Sequence, residues 1–524
     1  MTTVAALLVA AAVAVLVAGR LHVLLQILQQ EHYENARLYR WVRADLRRLQ
    51  PLLVVGVLLG GVPAGWLGVG FAALVLAVSI AWTWRTWRRP QVKPLVFTAR
   101  AKRLFGVALA ISVLPPVAAA LLADSAVVGI AGGLTLLALP WLLGLANAAL
   151  RPYQQLENRR YVRAAQRKLR EIRPLVIGIS GSFGKTTTKA CVAAALDPHG
   201  PTHPTPASFN SFLGVVRAIN EGLEPRHETF VAELGSYRIG DVAELCELVE
   251  PKIGILTSLG PAHLERFGSM EAIEQAEGEL ADALPADGLF LTRADDERCR
   301  RVARDRAGCR VILFSPAPHP DADVWAESIA VSSGGTDFEL RWRDDPDPLA
   351  IRSRMLGEPN VANLLAAAAL ARDLGSTPAQ IARALRRVAP PKHRLEPIVN
   401  QAAGIVVIDD SYNSNPVGAA AALQVLAAHE AGRRILVTPG MVELGPQEAE
   451  ENRRLGELAA AVCDVCLLSG PLAKHIRDGL LGAGFAESRV IVAPDGPAVH
   501  AELAGLSRRG DVILFENDLP DVYG

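Results

Sequence analysis

Four apolar runs constrain this chain more than anything that follows them: Val4 to Gly19, Pro51 to Trp82, Leu104 to Ala123 and Ala126 to Leu150. A spanning helix needs about 20 apolar residues, and inside a bilayer only a structure that satisfies its own backbone hydrogen bonds is stable. The runs therefore predict membrane helices, not a soluble core. No Lys or Arg precedes Val4, so the basic start of a cleaved signal peptide is missing and the first run reads as a retained anchor.

Basic residues gather between the runs, in Arg20 to Arg48, Arg85 to Arg103 and Arg151 to Arg163. Lys and Arg stay on the cytoplasmic side, which puts all three loops inside and the N-terminus outside. The run from Pro51 to Trp82 then either crosses twice or re-enters, turning at Gly60 to Gly65, for about five membrane segments in all. Trp82, Trp84 and Trp87 fit an interfacial aromatic belt or packing on neighbouring helices. The expectation is a multi-pass protein of the cell membrane, with the bilayer as a partner and the rest of the chain cytoplasmic.

Beyond residue 150 the composition is that of a soluble protein. Lys+Arg and Asp+Glu both number 54, a balance that argues against a nucleic-acid partner. The six cysteines are scattered through apolar patterns, as expected of reduced thiols. Cys463 and Cys466 lie in a strand-like run with no second pair to complete a zinc site, so core packing is expected.

Pro174 to Ser180 reads as an apolar strand, Gly181-Ser-Phe-Gly-Lys-Thr-Thr-Thr188 as a loop, and Lys189 to Leu196 as a helix. This order builds a phosphate cradle: backbone N–H groups of Gly181, Ser182, Gly184 and Thr187 converge on phosphate oxygens, Lys185 neutralises them and Thr186 offers a hydroxyl to magnesium. The usual spacing places a further glycine at position 179, which is Ile179 here. From about Lys392 an alternation of strands and helices restarts, at Gly404 to Ile408, Arg434 to Val437, Val465 to Leu468, Val490 to Val492 and Val512 to Phe515, and predicts a parallel, Rossmann-like sheet.

Seven segments in order resemble the Mur ligases: Gly181 to Thr186, Glu233-Leu-Gly235, Ala262-His-Leu-Glu265 with Phe267-Gly-Ser269, Gly357 to Asn363, Pro391 to Glu396, Asp409 to Pro416 and Gly440 to Gly445. Within the family they are most similar to the member that adds D-alanyl-D-alanine. The resemblance implies an ATP-dependent ligase that phosphorylates a carboxylate and lets an amine displace the phosphate. It also implies ATP and Mg2+ as cofactors, and a cell-envelope peptide precursor with an amino acid or dipeptide as partners. By resemblance Lys185 holds the β- and γ-phosphates, Thr186 and Glu233 bind one magnesium and His263 a second, Arg394 lies near the phosphates, and Asp410 and Asn413 lie near the nucleoside. Read without the family, Glu233 is a strand-end acid, His263 a loop histidine, and Asp410 and Asn413 turn residues.

The family's motif carries a lysine, carbamylated to a metal-binding carboxylate, where Ala276-Glu-Gly-Glu279 has Glu277. Either Glu277 supplies that carboxylate directly, or the second metal site shifts, takes a bridging water or is lost. The expected fold is α/β: transmembrane helices (1–150), a basic linker (151–172), a phosphate-loop central domain (173–391) and a Rossmann-like C-terminal domain (392–524). A poly-γ-glutamate synthase-like ligase and a membrane-anchored nucleotide-binding scaffold without ligase activity are the alternatives.

Overall fold

The computed structural model describes residues 2–31, 33–44, 66–88, 94–122, 125–412, 414–429 and 432–517. Two compact units divide near residue 158.

In the first unit, helices Thr2–Gln30, Trp66–Trp87, Ala99–Leu122 and Ser125–Ile172 are each long and apolar enough to cross a membrane. The first continues past the expected end at Gly19, because Leu21, Leu24, Leu25 and Leu28 keep an apolar face buried against its neighbours. Residues 51–65, the first arm of the expected double crossing, lie outside the described residues. The third helix starts before its apolar run, so Arg100, Lys102 and Arg103 are helical, and Thr98 Oγ1 accepts from Ala101 N at 3.2 Å. The expected linker is the helical continuation of the last apolar segment: 151–172 is rich in Arg, Gln, Leu and Ala, which favour helix, and Pro152 alone interrupts the ladder.

In the second unit, nine strands form one mixed sheet. β1 is Leu175–Ser180, β2 Thr202–Pro204, β3 Thr229–Glu233, β4 Ile253–Leu256, β5 Leu289–Arg293, β6 Arg310–Ser315, β7 Val324–Ser332, β8 Gly335–Trp342 and β9 Asp345–Ser353. Their order is β2-β3-β1-β4-β5-β6-β7-β8-β9, parallel through β7 and antiparallel beyond it. Alternate side chains point to opposite faces. Ile177, Ile179 and Val231 pack with helices Lys185–Ala195 and Glu358–Asp373, while Val176, Phe230 and Ala232 pack with Asp241–Val249 and Leu280. With both faces covered, the central strands are apolar along their length. From β1 the chain passes through the edge strand β2 to β3 on one side and then crosses to β4 on the other, so the ends of β1, β3 and β4 form the topological switch point where open α/β sheets bind ligands.

A second sheet holds β10 (Glu396–Asn400), β11 (Ile405–Asp410), β12 (Arg434–Thr438), β13 (Val465–Ser469), β14 (Val490–Ala493) and β15 (Val512–Glu516), in the order β10-β11-β15-β12-β13-β14. The five strands read from the sequence are parallel, and antiparallel β10 is an edge strand that the alternation did not announce. Cys463 and Cys466 are buried beside and within β13, and their mutual contact, with burial, pushes the Cys463 thiol up.

Candidate active site

At the end of β1 the chain turns through Gly181 (φ +128°) and Gly184 (φ +83°) into helix Lys185–Ala195. A Cβ on Gly181 would sit 2.2 Å from Thr257 Oγ1, so backbone conformation and space both demand glycine there. Thr257, at the end of β4, holds the loop through Phe183 O at 2.5 Å and Ser180 O at 3.1 Å. Ser182 Oγ exchanges hydrogen bonds with the Gly260 backbone at 3.0 Å. From the far side, Asn363 Oδ1 accepts from Thr188 Oγ1 at 2.8 Å, and Asn360 supports Asn363 at 3.0 Å. The loop is thus fixed before any phosphate arrives. Lys185 Nζ folds back onto Gly181 O.

Glu233 ends β3, opposite Ile179 in register, and is 1% exposed. Its carboxylate accepts from Thr186 Oγ1 at 3.1 Å and from Asn210 Nδ2 at 3.0 Å, and pairs with Lys189 Nζ at 2.8 Å. Lys189 sits one turn after Lys185 and also donates to Ala207 O. Burial pushes its ammonium below the usual lysine range, Glu233 opposes that shift and Arg394 adds to it. Asn210 and Lys189 carry no motif of their own and were not singled out by sequence.

His263 has a left-handed backbone (φ +53°) at the start of the short helix Leu264–Phe267, with its ring 4.8 Å from that of Tyr237. Its Nδ1 meets Glu443 Oε2 from the C-terminal domain, and Arg266 approaches the same carboxylate at 3.6 Å while lying over Tyr237 at 4.6 Å. Glu443 stands in the loop after β12. Asn452 holds that loop through Met441 N (2.9 Å) and Met441 O (2.8 Å), and Asn517 donates to Gly440 O at 2.6 Å.

Glu277, on helix Met270–Asp282, is buried, and its two oxygens accept from Gly181 N at 2.7 Å and Ser236 Oγ at 2.8 Å. The carboxylate therefore braces the first amide of the phosphate loop. Replacing it by alanine leaves two buried donors unsatisfied at about 1–3 kcal/mol each. Glu277→Ala is accordingly expected to lower the urea midpoint of the second unit, and an unchanged midpoint would show that the brace carries no weight.

In the C-terminal domain, Arg394 lies over the Tyr412 ring at 4.2 Å, and Tyr412 donates to Ser208 of the central domain. Asp410 accepts from Leu395 N at 3.0 Å and faces Glu516 across β11 and β15. Burial pushes Asp410 up to about 6 and Glu516 well above the usual carboxylate range, and the Asp410 carboxyl adds to the rise of Glu516. Ser414 donates to Glu516 Oε1 at 2.5 Å. Asn413 lies outside the described residues.

A glycine-lined phosphate loop at the switch point of a parallel sheet, faced by a second Rossmann-like domain, defines a nucleotide-dependent α/β enzyme. Residues 179–371 match the Mur ligase middle domain, and residues 393–516 the Mur ligase glutamate ligase domain. The chain is 36% identical to the UDP-N-acetylmuramoyl-tripeptide–D-alanyl-D-alanine ligase of Mycobacterium bovis over 368 residues, 65% of this chain and 70% of that one. To the enzyme of the same name from Escherichia coli it is 33% identical over 319 residues, 60% and 69% of the two chains. Among solved structures, MurF from Acinetobacter baumannii is similar at a TM-score of 0.60 and 27% identity, covering 68% of this chain and 76% of its own. The MurF ligase of Thermotoga maritima in complex with ADP has a TM-score of 0.60 at 25% identity, covering 68% and 79%. The chain belongs to the Mur ligase family. It is an ATP-dependent carboxylate–amine ligase working with ATP and Mg2+. The Thr186 hydroxyl and Glu233 carboxylate, hard oxygen donors converging beside the phosphate loop, are a donor set that suits magnesium.

Proposed function

We propose that this chain joins a D-alanyl-D-alanine-like dipeptide to the carboxylate end of a peptidoglycan peptide precursor, at the cytoplasmic face of the membrane. The observation that carries this reading is the Glu233–Thr186 contact of 3.1 Å at the phosphate loop, in a chain 36% identical to a ligase of that name. The amides of Gly184 and Thr187, with Lys185, cradle the triphosphate, whereas the expected Gly181 and Ser182 amides are already engaged by Glu277 Oε2 at 2.7 Å and Ser258 O at 2.8 Å; Thr186 and Glu233 would hold the magnesium that offsets the charge. Asp410 serves the nucleoside side, and Arg394, stacked on Tyr412, the phosphates.

The substrate carboxylate attacks the γ-phosphorus, breaking its bond to ADP and forming an acyl phosphate. The amine then attacks the acyl carbon, phosphate leaves with the bonding pair, and the amine loses a proton. Electrostatic stabilisation does most of this work. His263, set between Tyr237 and Glu443, would hold the second magnesium through Nε2, since its Nδ1 meets Glu443. Glu277 serves as the brace of the loop; both its oxygens are engaged there, which supports that role over metal binding. The domain borders at 150/151, 172/173 and 391/392, and the outside N-terminus, belong to the same reading. Exposed Leu74, Ile80, Leu121 and Leu134 on the first unit's helices favour a bilayer around them.

The test is ADP formation by the purified full-length protein, supplied with UDP-N-acetylmuramoyl-tripeptide and D-alanyl-D-alanine together and each alone. Turnover is expected only with both. Hydrolysis indifferent to either would end the ligase reading, and turnover with another amine would replace the dipeptide.

A further inference from the structure

A cavity of about 480 Å³ opens in the helical unit where the apolar segments give way to charge. Its wall carries Arg100 and Arg103 from the first turns of helix Ala99–Leu122, and Arg151 from helix Ser125–Ile172, directly after the last apolar residue, Leu150. Among the described residues none of the three has a carboxylate within ion-pair distance; the acid on the wall, Glu34, is engaged by Arg37 at 3.0 Å.

Neutral groups hold two of the arginines instead. Arg100 lies over the Tyr33 ring at 3.8 Å and donates to Asn147 Oδ1 at 3.4 Å. Arg103 lies 4.9 Å over Tyr153 and donates to Gln154 Oε1 at 3.3 Å. Asn147 is itself fixed, donating to Tyr33 O at 2.9 Å and Asn35 Oδ1 at 2.8 Å. A guanidinium has five N–H donors in a planar fork that matches phosphate oxygens. Stacked and bonded once, each keeps most of that fork for a ligand. Like charges collected in one cavity repel until an anion joins them.

We propose that this cavity binds a phosphate ester, the headgroup phosphate of a membrane lipid. Free phosphate shares the recognition chemistry, but the wall also includes Leu104 and Leu150, which suit the start of an acyl chain and offer nothing to a free anion. The inference rests on reading these helices as membrane-spanning. It needs nothing from the ligase site.

Full-length protein in a non-ionic detergent is titrated calorimetrically with dihexanoyl phosphatidic acid, dihexanoylglycerol and inorganic phosphate. Phosphatidic acid is expected to bind and dihexanoylglycerol not to. Losing one charge-assisted hydrogen bond weakens binding by about tenfold, so Arg103→Gln and the double variant Arg100→Gln/Arg103→Gln should each lose at least that factor. Arg103→Gln guards against misfolding, because Arg100 is more deeply built into the packing. Wild-type affinity in both variants overturns the site, and inorganic phosphate binding as tightly as phosphatidic acid overturns the lipid source. Carbonate extraction of membranes separates the two readings: release of the chain refutes the spanning helices, whereas retention without phosphatidic acid binding refutes the cavity alone.

Discussion

Glu233→Gln is expected to abolish ligation and to destabilise the second unit at the same time. The substitution keeps the side chain's shape, so Thr186 and Asn210 retain an acceptor, but the charge opposite Lys189 disappears from a site where both side chains are nearly closed to solvent, at 6% and 2% exposure. Stripping one partner from a buried ion pair costs about 3–5 kcal/mol. Lys189 limits the loss by releasing its proton, since burial already holds it below the usual lysine range. A lysine whose folded-state pKa is depressed binds fewer protons folded than unfolded, so stability rises with pH from the folded value towards the unfolded one. The variant should therefore close part of its stability gap to wild type between neutral pH and pH 10, as read by urea midpoints across pH. Lys189→Met/Glu233→Gln should recover most of the stability and none of the ADP formation. If the double variant regains turnover, Glu233 is only a structural partner of Lys189.

Lys185→Ala separates chemistry from folding. Among the described residues the Lys185 ammonium bonds to the Gly181 carbonyl, an attachment of small structural consequence. Its proposed task is to swing onto the terminal phosphates as charge develops there, and removing such a preorganised stabiliser costs about 10²–10³ in turnover. Lys185→Arg should not rescue, because a planar fork does not replace a compact ammonium within a closed loop. ADP formation should fall by that factor with the urea midpoint unchanged. Retained turnover would move the triphosphate away from this loop.

Much of the site was legible because its parts are local. Gly181 to Thr186 announces itself by a strand before it and a helix after it, and Glu233 is named by a motif. Lys189 was not legible: one helical turn past Lys185 it looks like a solvated residue, and only the sheet order that sets β3 beside β1 brings it to Glu233. Glu443 lies 180 residues from His263, and its motif gave no hint that it reaches back to the central domain. Glu516 carried no motif, and only the pairing of β15 with β11 sets it against Asp410. In the fold, β9 was hidden by Pro346 and Pro348, tolerated because it is an edge strand. The helix Ser125–Ile172 was split in two because its composition changes at Arg151 while its backbone does not.

The C-terminal domain reaches the central one through the Glu443 carboxylate, which rests on His263 and near Arg266. A drug against such an enzyme need not imitate either substrate. A small anion that seats on His263 and Arg266 in place of Glu443 would break that link between the two domains without entering the phosphate loop.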